Sequence, residues 1–158
     1  MYSTILLAAA LQDWERYSAH ALEAREVAAA LAPAAAKRLH VLSVYEYKSL
    51  ESQGLPADVA VRYREDMMLR TDEMMRQKLE EYVAPLRTAG IEVCNILRLG
   101  NPRLEIVKVA TEIAADLLII GTHSKRSLLD IFLGGTAQAV SNRAPCTLLF
   151  VAPHTNNG

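Results

Sequence analysis

The stretch from Gly121 to Thr136 holds the residues of this 158-residue chain best placed to do chemistry. It reads Gly121-Thr122-His123-Ser124-Lys125-Arg126-Ser127, continues through Leu128 to Leu133, and closes on Gly134-Gly135-Thr136. Glycines at both ends let backbone amides approach a ligand closely. Gly134-Gly135-Thr136 also opens a helical pattern that runs to Asn142, with Pro145 beyond it. A helix start offers free N–H groups and the positive end of a dipole. Phosphate is the natural guest. Ser124 and Thr136 add hydroxyls and His123 a titratable ring. Lys125 and Arg126 either neutralise a polyphosphate or form a solvated loop face.

Other chemistries lack their residues. His20 and His40 stand apart from any Cys, His or Asp at ligand spacing, so no metal site is expected. Cys94 and Cys146 lie 52 residues apart without a CxxC pair and read as small buried hydrophobes. There is no GxxxxGK[ST] loop, no Gly-x-Ser-x-Gly elbow and no His-x-x-His signature. Glu80 and Glu81 are adjacent, so a helix does not put them on one face. With no positioned base and no metal-holding carboxylate pair recognisable near the loop, hydrolysis is the least expected activity. Seventeen basic against 18 acidic side chains, net −1, argue against a generic nucleic-acid binder.

The elements that must position this loop alternate along the chain. Near-continuous apolar runs at Thr4–Ala9, Leu39–Tyr45, Ile91–Leu97, Asp116–Ile120 and Thr147–Val151 predict strands covered on both faces. Helical patterns lie between them. The first is Ala-rich, from Trp14 to Leu31, with Asp13 as N-cap. The second runs from Asp58 to Thr88 and is closed by Gly90; its methionines read as core packing under a neighbouring loop. Asn101-Pro102 opens the third, whose stripe Leu104, Val107, Ala110 and Ile113 or Ala114 should face the sheet. This order predicts an α/β fold: an open five-stranded parallel sheet with helices on both faces. Ligands in such folds bind at the carboxyl ends of strands, so Ala8–Asp13, Val44–Tyr47 and the loop after Ile120 are the places to inspect. Ile5 to Leu11 is too short to span a bilayer, and no Lys or Arg precedes Arg16 as a signal peptide would need. A cytoplasmic protein without a membrane role is expected.

Three segments carry a resemblance. Asp116 to Ser124, Leu133 to Ala137 and Arg143 to Val151 together resemble the C-terminal half of universal stress proteins. ATP-binding members of that family carry Gly-x2-Gly-x9-Gly-Ser/Thr, and Gly121 and Gly134 take the first and third glycine positions here. Gly100-Asn101-Pro102 is similar to the family's opening of the preceding helix. The chain departs from the pattern at Ser124, which replaces the second glycine, and at Gly135, which stands in the Ser/Thr position with Thr136 one residue later. The acid that usually ends the first strand aligns with Ala10 without gaps, or with Asp13 if three residues are skipped. Asp13, Ser18 and Ala21 then fit the family spacing.

The resemblance implies an adenine-nucleotide α-hydrolase-like (Rossmann-like) domain over residues 1–153, with 154–158 as a flexible tail. It implies ATP or another adenine nucleotide as ligand, with magnesium able to accompany it. Val44 would present backbone groups to the base. Gly121, His123, Ser124, Gly134, Gly135 and Thr136 would hold phosphates, and Asp13 would supply the acid of the adenosine half in the gapped register. A nucleotide-responsive regulator acting through partner change is the favoured function, and a nucleotide-free adaptor dimer is the alternative. The apolar last strand, Thr147–Val151, has no charge to blunt its edge and is expected to pair two copies.

Overall fold

Strand residues facing opposite sides of one sheet build two separate cores. The computed structural model describes residues 2–12, 17–35, 38–47, 54–122 and 135–153. Its elements in chain order are β1 (Ile5–Ala8), α1 (Ala19–Ala35), β2 (Leu39–Tyr45), α2 (Ala57–Thr88), β3 (Val93–Leu99), α3 (Pro102–Glu112), β4 (Leu117–Gly121), α4 (Gly135–Arg143) and β5 (Thr147–Val151). All five strands are parallel, in the order β3-β2-β1-β4-β5. Successive residues of β1 point to opposite faces. Ile5 and Leu7 join Leu39, Val41, Leu117 and Ile119 beneath α1 and α2. Leu6 and Ala8 join Leu42, Val44, Leu118 and Ile120 beneath α3 and α4. This double burial is why the runs are apolar throughout rather than alternating.

The helices match the expected order but not every expected face. α1 begins at Ala19, not Trp14, and its first turn is held by Ser18, whose Oγ accepts from the Ala21 N–H at 3.2 Å. Asp13 is therefore not its N-cap; the residue itself lies outside the described ones. Ala21, Ala24, Ala28 and Ala32 form the buried stripe, and their small side chains let the helix lie close to the sheet. Gly90, at φ 84°, ends the helical segment after Thr88 as expected. Of the methionines of α2, only Met75 is in the core, while Met68 and Met74 are exposed along with Leu69. Apart from Ala60, the buried residues of α2 run from Met75 to Leu86, so core packing does not account for Met68 and Met74. In α3 the Asn101 side chain accepts from the Arg103 N–H at 3.0 Å and Pro102 takes the first turn, as the sequence indicates. The buried face is Ile106, Val109 and Ala110; Leu104 is 53% exposed, because the stripe is rotated from the one read in the sequence. β3 also begins two residues later than expected, at Val93.

Candidate functional site

The order of the sheet reverses between β1 and β4, which run side by side while their following helices cross to opposite faces. A crevice opens at the carboxyl ends of such a pair. Here it is a cavity of about 350 Å³, within the range of small-molecule sites. Ala8 to Gln12 form one wall, and Leu42 and Val44 of β2 extend it. Ile120, Gly121 and Thr122 continue β4 into it, and Gly135, Thr136 and Ala137 bring the start of α4. Pro102 and Ile106 of α3 and His20 and Ala21 of α1 complete the lining.

Two positions in this lining lack a Cβ because there is no room for one. At Gly121, an added Cβ would stand 2.6 Å from the His20 carbonyl oxygen and 3.1 Å from its ring Cδ2. Glycine thus lets β4 pass under the first turn of α1, and seats that turn against the cavity. At Gly135, an added Cβ would run into the guanidinium of Arg103, whose Cζ lies 2.9 Å away. The two glycines hold α1 and Arg103 respectively against the site.

Polar groups fix the surroundings. Ser18 Oγ and His20 Nε2 are 3.1 Å apart, both buried at the head of α1. The Tyr82 hydroxyl donates to the Ala21 carbonyl at 2.6 Å, tying α2 to that same turn, and burial raises the pKa of the phenol. The Tyr82 ring meets Tyr17 edge-on at 5.3 Å and lies under the Arg25 guanidinium at 5.4 Å. Gln12 bridges the strand ends: its Nε2 donates to the Glu46 carbonyl at 2.6 Å, and its Oε1 accepts from the Glu46 N–H at 2.8 Å. Thr122 is 5% exposed, and its hydroxyl has no hydrogen-bond partner among the described residues.

Val44, Gly121, Gly135 and Thr136 all line this cavity, and Ala10 joins them. Asp13, His123, Ser124 and Gly134, together with Lys125 and Arg126, lie outside the described residues. His20, Pro102 and Ile106 are contributions to the lining that the sequence reading missed. Ser18, three residues ahead of Ala21, was the available signal for a helix starting there. A second, smaller hollow between Tyr45, Tyr47, Met68, Leu69, Asp72 and Leu99 lies apart. In it the Tyr45 hydroxyl donates to Asp72 at 2.7 Å, and burial followed by that bond pushes the phenol up to about 12. That pairing is structural rather than catalytic. Among the described residues no group of three or more His, Cys, Asp or Glu could hold a metal ion, and no helix is long and apolar enough to cross a membrane.

The model of the universal stress protein family matches residues 1–152. The chain belongs to this family. A universal stress protein of Thermus aquaticus is 32% identical over 152 residues, covering 96% of this chain and 99% of its own. Universal stress protein MJ0577 of Methanocaldococcus jannaschii is 29% identical over 119 residues, 72% of this chain and 74% of its own. The solved structure of MJ0577 superposes with a TM-score of 0.76 at 24% identity, covering 99% of both chains. An Arabidopsis thaliana family member with AMP bound gives a TM-score of 0.68 at 15% identity, over 98% of this chain and 94% of that one. A universal stress protein in complex with cAMP gives 0.60 at 21% identity, over 97% and 98%. This universal stress protein thus shares the adenine-nucleotide α-hydrolase-like fold of those structures, with its cavity at the reversal of strand order.

Proposed function

We propose that this universal stress protein is a regulatory binder of an adenine nucleotide, ATP or a close relative, held in the cavity between β1 and β4. The observation that carries the reading is a cavity of about 350 Å³ at the reversal of strand order, opening onto the first turn of α4 at Gly135. Its chemistry fits such a ligand: an apolar wall from Leu42, Val44 and Ile106 for a base, then Thr122, Thr136 and the start of α4 for phosphates. Relatives with AMP and cAMP bound support the choice of adenine. In this reading the Val44 backbone meets the base. Gly121, His123, Ser124, Gly134, Gly135 and Thr136 surround the phosphates, and Asp13 supplies the acid for the sugar that Ala10 cannot. Binding, not turnover, is the function. Calorimetric titration with ATP, ADP and AMP, with and without magnesium, tests it; absence of heat at millimolar nucleotide refutes it and leaves the adaptor role.

We also propose that two copies pair through β5 in the cytoplasm, and that nucleotide occupancy changes what protein partner the pair engages. β5 hydrogen-bonds to β4 on one side only, and Leu148, Leu149 and Phe150 are half-buried in the single chain. A parallel-sheet edge with no charge on it favours a self-complementary partner. Leu149 packs on the core, so Thr147, which is exposed, is the position to alter. Thr147→Asp should turn a dimer into a monomer in light scattering while the fold survives by circular dichroism; a wild-type protein that is monomeric at tens of micromolar ends the idea.

A further inference from the structure

We propose that Arg103 is the residue with which this protein grips the phosphate end of its nucleotide, so that affinity depends on a charged phosphate rather than on adenosine alone. The inference rests on the adenine-nucleotide reading above and adds a specificity residue to it.

Arg103 sits in a place where a cation is electrostatically misplaced. It is the second residue of α3, directly after Pro102, and its own N–H is held by the Asn101 side chain at 3.0 Å. The first turn of a helix favours anions and disfavours cations. Its guanidinium also lies over Gly135, the first residue of α4, with Nε 3.4 Å from where a Cβ would stand. The start of α4 and a full positive charge therefore meet at Gly135, which lines the cavity.

No described acid answers that charge. Glu105, the nearest in sequence, has its side chain folded against Gly100, its Cγ 2.9 Å from a Cβ position there. Glu112 pairs with Arg98 at 2.8 Å, and Asp116 is taken by Ser3 and Thr4 at the other end of the sheet. The Thr122 hydroxyl, buried in the same cavity lining, has no partner among the described residues. A cation and an orphan hydroxyl beside the first turn of a helix describe a binding site for an oxyanion. The planar guanidinium fork suits two oxygens of one phosphate. Missing side-chain bulk at Gly135 is what lets the fork reach the amides that the phosphate would share.

Adenosine, ATP and inorganic tripolyphosphate separate the possibilities, each titrated calorimetrically into the full chain. The variants are Arg103→Gln, Arg103→Lys and, as a control for general charge, Arg98→Gln. Arg103→Gln should weaken ATP and tripolyphosphate about tenfold or more while adenosine changes less than about twofold. Arg103→Lys should recover part of the loss, and Arg98→Gln should leave ATP binding as in wild type. If Arg103→Gln binds ATP like wild type, or loses adenosine equally, the phosphate grip is wrong and the nucleotide reading stands. If wild type binds tripolyphosphate but neither ATP nor adenosine, the grip survives and the nucleotide reading fails. Wild type that binds none of the three refutes both.

Discussion

Gly121 and Gly135 both lack room for a methyl group, yet adding one should have very different consequences. In Gly121→Ala the new Cβ meets backbone, the His20 carbonyl oxygen at 2.6 Å and its carbon at 2.9 Å. Contacts that close must be relieved, and the carbonyl cannot move without shifting the first turn of α1. That turn is anchored from three sides, by Ser18, by the Tyr82 hydroxyl and by the packing of Ala21 and Ala24. Overpacking against a fixed neighbour costs about 1–3 kcal/mol. For a chain of this size that lowers Tm by about 2–12 °C. The backbone at Gly121 is outside the left-handed region, so φ strain adds nothing. In Gly135→Ala the methyl meets only the end of the Arg103 side chain, which can swing away. Thermal unfolding by circular dichroism should therefore show a clear drop for Gly121→Ala and less than about 2 °C for Gly135→Ala. Equal Tm values for the two variants would refute the argument, since it rests on backbone yielding less readily than a flexible side chain.

Three further outcomes follow from packing and charge. Tyr82→Phe removes the 2.6 Å bond to the Ala21 carbonyl, whose place in α1 remains, and should cost about 1 kcal/mol in urea unfolding; no change at all would mean the tie between α2 and α1 is idle. Burial, then the nearby Arg38, hold the His40 pKa below its ordinary value. The unfolded chain then takes up the proton first, so stability is full above about pH 6.5 and falls as pH drops through the folded value; His40→Gln should flatten that limb in denaturation curves at pH 7 and pH 5. Asp116 is held below its ordinary pKa, chiefly by the Ser3 N–H at 2.8 Å. It stabilises the fold above the ordinary carboxylate pKa and loses that effect as pH falls through its lowered one. Asp116→Asn should therefore lose less stability than wild type between pH 5 and pH 3.

Much of the fold was legible because its signals are local. Leu117-Leu118-Ile119-Ile120 is apolar throughout since both faces of β4 are covered, and Asn101-Pro102 and Gly90 mark helix ends by backbone chemistry alone. What was illegible depends on rotation and distance. Leu104 and Ile106 are equally apolar, and only the angle at which α3 meets the sheet decides that Ile106 is buried. Met68 and Met75 are one heptad apart, but only Met75 reaches the core. In the site, Gly121 and Gly135 were visible as members of a motif. His20 was not, because what places it there is the empty space on the distant Gly121.

Of the five strands, the first to be synthesised is the middle strand of the sheet. Ile5 pairs with Leu39 on one side and with Leu117 on the other, more than a hundred residues later. At 5–20 residues per second, β1 waits roughly 5–20 s of synthesis for its second neighbour. Throughout that interval the nascent chain carries an unpaired inner edge on a strand whose four side chains are all destined for burial. Ile5, Leu6, Leu7 and Ala8 are then the segment most in need of shielding by a chaperone. A circular permutant that begins at α1 and delivers β1 after β5 would shorten the wait and should refold in higher yield.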